Sequence, residues 1–250
     1  MSPDAYVDMA NTEATHWWFC GRRKILSSVM ESLCLNSSSN ILEIGSGTGG
    51  NLEMLSRFGK VSAVEMDSKA LEISRSKNTF GAAIFSGRCP DEIPFQCAQF
   101  DLICLFDVLE HIEQDETTLN KLKDLLNPNG RILITVPAFQ WLWSIHDEYL
   151  HHKRRYDLSR IRNIVAAAGL EFERLTYFNT LLFPVIAVAR VLDRLRSKRT
   201  GVSTGSEVPP LWINNALVTI FGAEQYLLRA ANLPFGVSIL GLIKPKSGAK

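Results

Sequence analysis

Short apolar runs alternate with segments of helical periodicity over the first two thirds of the chain. Residues 41–44 read as a buried strand ending in glycines, and 52–58 carry apolar residues at helical spacing. Strand 61–64, helix 70–77, strand 82–85 and strand 100–106 follow. Helix 118–126 should stop at the breaker cluster Asn127-Pro128-Asn129-Gly130, ahead of strand 131–136, which Pro137 closes. Residues 158–168 read as a helix ending at Gly169, and 171–177 as a strand. Strands separated by helices imply a doubly wound α/β fold with a mostly parallel sheet, and continuously apolar strands imply burial on both faces. The pattern then changes. Residues 179–196 and 212–231 are apolar and helical, the segment 198–210 between them is polar with Gly, Ser and Pro, and 237–243 read as a last strand. The whole is read as a single domain over 1–250, with a covering N-terminal helix over 14–36 and a helical insertion over 179–233.

Composition narrows the function classes. Of the 250 residues 46% are hydrophobic and 21% charged, an ordinary globular balance. A net charge of +1 argues against a protein that coats nucleic acid. The five cysteines are odd in number and none is paired at CxxC spacing, so neither disulfides nor a metal site is expected. There is no basic leader running into an apolar stretch and no run of about 18 uncharged apolar residues, so the reading is of a cytoplasmic protein.

The segment Glu43-Ile44-Gly45-Ser46-Gly47-Thr48-Gly49-Gly50 follows a strand and opens a helix. Glycines let backbone approach a ligand closely, and a helix N-terminus offers free N–H groups. A nucleotide-like ligand is therefore expected at the carboxyl edge of the first strand. Gly45, Gly47 and Gly50 also satisfy G-x-G-x-x-G, so the loop alone fits an NAD-dependent oxidoreductase or epimerase as well. Glu65, at the end of the second strand, can accept ribose hydroxyls in either case.

The acidic Glu43 two residues before the first glycine resembles the E-x-G-x-G-x-G motif of class I S-adenosylmethionine (SAM) dependent methyltransferases. Three further segments are similar to that family: Ser86 to Pro90 with Ile93-Pro94-Phe95, Phe100 to His111 with its Asp107-Val108-Leu109-Glu110-His111 end, and Leu126 to Gly130. The tail, with Trp141-Leu142-Trp143 and His152 to Tyr156, resembles a less characterised bacterial branch. The resemblance implies a Rossmann-like seven-stranded sheet with an antiparallel last strand, and SAM as cofactor. It also implies roles: Glu43 orients the loop and the methionine end, Glu65 takes the ribose, and Met66 packs on the adenine. Ser46 and Gly49 belong to the loop, and Asp107 faces SAM or substrate. Arg88 stands where many relatives carry Asp, which leaves backbone near Arg88 and Cys89 to hold the adenine.

His111 is the candidate general base, at the ligand edge of the sheet. Trp143 and His146 follow the fifth strand and could wall the acceptor, with Trp141 alternating. Arg154, Arg155 and Tyr156 belong to a basic cluster suited to phosphate or carboxylate. His16 to Phe19 with Arg22-Arg23-Lys24 starts the covering helix. A small-molecule or lipid-linked acceptor, methylated on oxygen, is the leading reading; a non-catalytic SAM-binding module is a rival. Arg190, Arg194, Arg196, Lys198 and Arg199 beside the apolar insertion leave room for peripheral membrane contact, and the insertion itself for a homodimer. Nucleic acid is disfavoured as acceptor, because no proline pair follows Asp107.

Overall fold

The computed structural model describes residues 3–196 and 207–246. Its strands are β1 (Asn40–Ile44), β2 (Lys60–Glu65), β3 (Ala83–Ser86), β4 (Phe100–Phe106), β5 (Leu126–Pro137), β6 (Leu170–Phe178) and β7 (Ser238–Pro245). They form one sheet in the order β3-β2-β1-β4-β5-β7-β6. β1 pairs in parallel with β2 and β4, and β7 runs antiparallel to both β5 and β6. The chain moves outward from β1 to β2 and β3, then returns to β4 on the other side. That reversal opens a crevice beyond the carboxyl ends of β1 and β4, the ligand position in open α/β sheets.

Along the central strands β1, β4, β7 and the second half of β5 both sheet faces are buried, which is why these sequences are apolar without alternation. On one face Leu42, Ile103, Ile132 and Ile243 pack against Leu119 and Leu122 of α5 (Asp115–Lys123) and Ile161 and Val165 of α7 (Leu158–Ala167). On the other, Ile41, Leu102, Leu133 and Leu240 meet Ile25, Leu26 and Met30 of α2 (Trp17–Met30) and Phe221 and Leu228 of α9 (Leu211–Ala230). Trp18 and Phe178 both stack on Phe221, at 5.2 and 6.1 Å between centroids. A Cβ on Gly21 would lie 2.4 Å from the Phe221 ring, so α2 and α9 touch closely through that glycine. Asn214 of α9 ties the start of α2, accepting from Trp17 N at 2.9 Å and donating to Thr15 O at 2.9 Å. Two shorter helices, α3 (Leu52–Ser56) and α4 (Ser68–Lys77), complete the first half.

Two departures from the sequence reading have clear causes. The helix expected to run to residue 126 ends at Lys123, and Asn127-Pro128-Asn129-Gly130 lies within β5 rather than outside it. Leu125 O accepts from Gln99 N and Phe100 N, and Leu126 pairs with Phe100, so the sheet takes this backbone; the register then slips before Leu102 pairs with Arg131. A further helix, α1 (Pro3–Thr12), has no counterpart in the expectation. Between β6 and β7 lie α8 (Phe183–Arg196) and α9. Val185, Val188, Leu211 and Trp212 on these helices are exposed, the last two at 75%. Lys198 and Arg199, and the side chains of Arg194 and Arg196, fall outside the described residues. Among the described residues no helix is long and apolar enough to cross a membrane.

Candidate active site

The glycine loop leaves β1 through three left-handed residues, Gly45, Gly47 and Gly49, with φ of 67°, 55° and 86°. A side chain at Gly45 would strike Val108, 2.7 Å from its Cβ position, so the loop is pressed against the end of β4. Glu65 ends β2 and holds the loop from the other side. Its Oε2 accepts from Gly47 N at 2.8 Å, and its Oε1 accepts from Met66 N and Asp67 N at 2.9 and 2.8 Å. Burial raises its pKa, and these three N–H donors oppose the rise. The Met66 side chain stands exposed beside it at 62%.

Glu43 points under the loop, fully buried. Asn51 Nδ2 donates to its Oε1 at 2.8 Å, and Oε2 meets no donor. Burial pushes this carboxyl up to about 8, against the stabilising Asn51 bond.

α1 and α2 close the loop from above. Met9 reaches within 3.3 Å of the Cβ position of Gly47. Glu13, just past α1, accepts from Thr48 Oγ1 at 2.7 Å and from Lys77 Nζ at 3.0 Å. Burial and the carboxylates of Glu65 and Asp67 raise the Tyr6 phenol. Arg22 of α2 pairs with Asp107, which sits at φ 58° at the end of β4 and accepts from Thr135 Oγ1 at 3.1 Å. The Arg22 guanidinium lies 5.9 Å from the Trp18 ring and 5.7 Å from that of Phe19.

A cavity of about 610 Å³ runs from this loop across the sheet edge. Gly45, Ser46, Gly47, Glu65 and Met66 line one end; Asp107 lines the middle; His111, His146, His152 and Ile186 of α8 line the other. At that far end Glu110 is wholly buried, with neither carboxylate oxygen hydrogen-bonded. The rings of His111 and His152 meet edge to face, 4.8 Å between centroids. Burial, then His152, holds the His111 pKa down to about 3, which makes it a neutral imidazole and a weak base at physiological pH. His152 Nδ1 lies 2.9 Å from Asp147 Oδ1. Asp147 also takes Arg155 Nε and Nη2 at 2.7 and 3.0 Å. Burial alone would raise Asp147, but the bonds from His152 and Arg155 hold it well below the usual carboxylate range.

The structure thus gathers Gly45, Ser46, Gly47, Glu65, Met66, Asp107, His111, His146 and Arg155 around one cavity. It puts others elsewhere. Gly49 faces Ser74 rather than the cavity, with a Cβ position 2.7 Å from Ser74 Oγ. Arg88 is exposed, and Cys89 packs on the core, where burial pushes its thiol up to about 12; neither lines the cavity. Trp143 is half-buried outside the lining, and Trp141 stands 48% exposed against Phe139 and Phe183. Tyr156 is a core residue: it is fully buried and its hydroxyl lies 3.2 Å from Asp115 Oδ2. Arg154 is drawn away to Asp115 at 2.9 Å and Glu113 at 3.3 Å. Arg155 borders the cavity, but its charge is spent on buried Asp147. Sequence reasoning missed Tyr6, Met9, Glu13, Asn179 and the His152–Asp147 pair, and it treated Arg22 only as part of a covering helix. It expected no metal-ligating set, yet Glu110, His111 and His152 place ligand atoms within 4.8 Å of one another. No local spacing signals that group, because it joins the end of β4 to a loop forty residues later.

A family model described as a methyltransferase domain matches residues 16–175. The chain is 29% identical over 150 residues to the mitochondrial ubiquinone biosynthesis O-methyltransferase of Schizosaccharomyces pombe, covering 52% of this chain and 53% of that protein. The chain therefore spans about half the length of that curated relative. A Haloferax volcanii methyltransferase complex with a methyltransferase activator superposes with a TM-score of 0.63 at 15% identity, covering 99% of this chain and 97% of the other. Phosphoethanolamine N-methyltransferase 2 of Haemonchus contortus, solved with S-adenosyl-L-methionine, gives 0.57 at 17% identity, covering 89% of this chain and 52% of that one. Both likenesses are of fold.

Proposed function

Since the chain belongs to the class I SAM-dependent methyltransferases, an enzyme family with S-adenosylmethionine as cofactor, we propose that it transfers a methyl group to an oxygen of a small-molecule or lipid-like acceptor seated beside His111. The cofactor end of the cavity suits SAM on its own evidence. Ser46 Oγ and Arg22 Nε are buried at the lining without a protein partner, and the glycines leave the loop face free of side chains. In this reading Glu65 holds the ribose hydroxyls, Met66 covers the adenine, Arg22 and Asp107 border the methionine end, and Glu43 acts from beneath the loop, outside the cavity lining. When bound, SAM supplies a sulfonium-activated methyl group.

The chain's own work is then to hold the acceptor oxygen in line and keep water out. Alignment of this kind is worth about 7–11 kcal/mol in the best intramolecular cases. α1 and α2 close the cofactor end, while Ile186 and Ala189 of α8 make an apolar wall at the acceptor end. The observation that carries the reading is the continuity of one cavity from Glu65 to His111. The exposed apolar side chains of α8 and α9 support a lipid-like acceptor over a freely soluble one.

The test has two stages. Calorimetric titration should show binding of SAM and its demethylated product but not of NAD. Glu65→Ala should lose at least ten-fold in SAM affinity, because it removes a ribose acceptor and the group that orders Gly47, Met66 and Asp67. Isotope-labelled SAM supplied with phenols, quinols and hydroxy acids should then yield labelled methyl ethers or esters. Label found only on carbon or nitrogen would refute the assignment of the acceptor atom.

A further inference from the structure

Two histidines and one carboxylate meet at the acceptor end of the cavity, and the preceding reading uses them only as wall. Glu110 comes from the short turn after β4, as does His111; His152 comes from the loop after α6 (Ile145–Tyr149). Their ligand atoms lie within 4.8 Å of one another, and His152 Nε2 is 3.8 Å from Glu110 Oε1. All three border the cavity, so a group bound among them faces the acceptor.

Three features separate this cluster from ordinary packing. Glu110 is 0% exposed and neither of its oxygens has a hydrogen-bond partner, a costly arrangement unless something else satisfies them. His152 is oriented from behind. Asp147 accepts from Nδ1 and is itself clamped by two Arg155 nitrogens, so Nδ1 is held to the carboxylate and Nε2 is the ring nitrogen turned toward Glu110. A carboxylate behind a histidine is the usual support for a metal-binding imidazole. Finally, the spacing is short enough to close. A point equidistant from three atoms 4.8 Å apart lies about 2.8 Å from each, so shifts of about 0.7 Å per side chain would reach metal–ligand lengths of roughly 2.1 Å.

We propose that Glu110, His111 and His152 form a divalent metal site facing the methyl acceptor. Two imidazoles suit borderline ions such as zinc or cobalt(II), the carboxylate also admits the harder manganese(II), and three protein ligands leave positions open for the acceptor. The role of such an ion rests on the methyltransferase reading: it would bind the acceptor hydroxyl and lower its pKa, so that the proton passes to water and the oxyanion takes the methyl group. Binding of the ion does not depend on that reading, and neither does its test.

The full-length protein is stripped with a chelator and titrated with zinc(II), cobalt(II) and manganese(II), each alone, by calorimetry and by metal analysis after dialysis. One ion per chain is expected. His152→Ala and Glu110→Gln should each weaken binding at least ten-fold, and Asp147→Asn, acting through His152, about 10–100-fold. His151→Asn, at an exposed neighbour outside the cavity, should bind as wild type. Circular dichroism and SAM titration of every variant identify any that fail to fold. His152→Cys guards against that failure: it should bind cobalt(II) with added thiolate-to-metal charge-transfer absorption. No stoichiometric binding of any of the three ions, or equal binding by His152→Ala and wild type, overturns the site. A protein that binds SAM and no ion loses the metal site and keeps the methyltransferase reading. One that binds the ion but methylates no hydroxyl keeps the site and loses the role given to it.

Discussion

Replacing Glu43 by Gln should make the unliganded protein more stable while weakening its hold on SAM at alkaline pH. The carboxyl is fully buried, and burial pushes its pKa from 4.5 up to about 8 in the folded chain. At pH 7 the unfolded chain has therefore lost this proton and the folded chain keeps it. Stability from this group is complete below about pH 4.5 and falls steadily as the pH rises to about 8. Each unit of that interval is worth about 1.4 kcal/mol, so at pH 7 the loss is on the order of 3 kcal/mol. Gln has nearly the same shape, does not titrate, and can still accept from Asn51 Nδ2, whose bond to Glu43 measures 2.8 Å. Urea unfolding without SAM, followed by circular dichroism from pH 5 to 9, measures the difference between the two proteins, in which every other titrating group cancels. The Glu43→Gln advantage should be small at pH 5, about 3 kcal/mol at pH 7 and level above pH 8. A difference that stays flat with pH, or a variant less stable than wild type at pH 7, would refute the reasoning. In a SAM titration above about pH 8, where the wild-type carboxyl is ionised, the order should reverse, since the amide carries no negative charge there.

Other substitutions probe separate parts of the argument. Phe221→Ala removes a fully buried ring that stacks on Trp18 and Phe178, and should cost about 3–5 kcal/mol in urea unfolding. Tyr156→Phe should cost about 1 kcal/mol and leave SAM affinity and methyl transfer unchanged, because the hydroxyl bonds inside the core at Asp115 and Leu109; a ten-fold loss of turnover would return Tyr156 to the site. Arg155→Ala strands the buried Asp147 charge and should destabilise by about 3–5 kcal/mol, measured as a lower midpoint of unfolding near neutral pH.

The central strands were legible because each is an apolar run bounded by glycine, proline or charge, and a strand buried on both faces writes that pattern directly. The glycine loop was legible for a similar reason: left-handed dihedrals at Gly45, Gly47 and Gly49 demand that residue locally. The end of α5 was misread because Asn127-Pro128-Asn129-Gly130 breaks a helix wherever it occurs, whereas only pairing with β4 decides that its flanks join the sheet. Tyr156 and Arg154 looked like ligand residues because a charged, aromatic cluster looks exposed in one dimension. Packing on Asp115 and Glu113 turned both away.

By itself, then, the sequence determined what depends on neighbours within a few residues: the alternation of strand and helix, the glycine-loop geometry, the acidic residue at the end of β2, and through these the cofactor and the family. Tertiary structure decided what depends on residues far apart. Arg22 meets Asp107 across 85 positions, Glu13 meets Thr48 across 35, and His152 comes to Glu110 only when the loop after α6 folds over the end of β4. Local periodicity carries backbone preference but not the placement of distant side chains. That placement follows from burial of both sheet faces and from the pairing of charges that burial leaves without water.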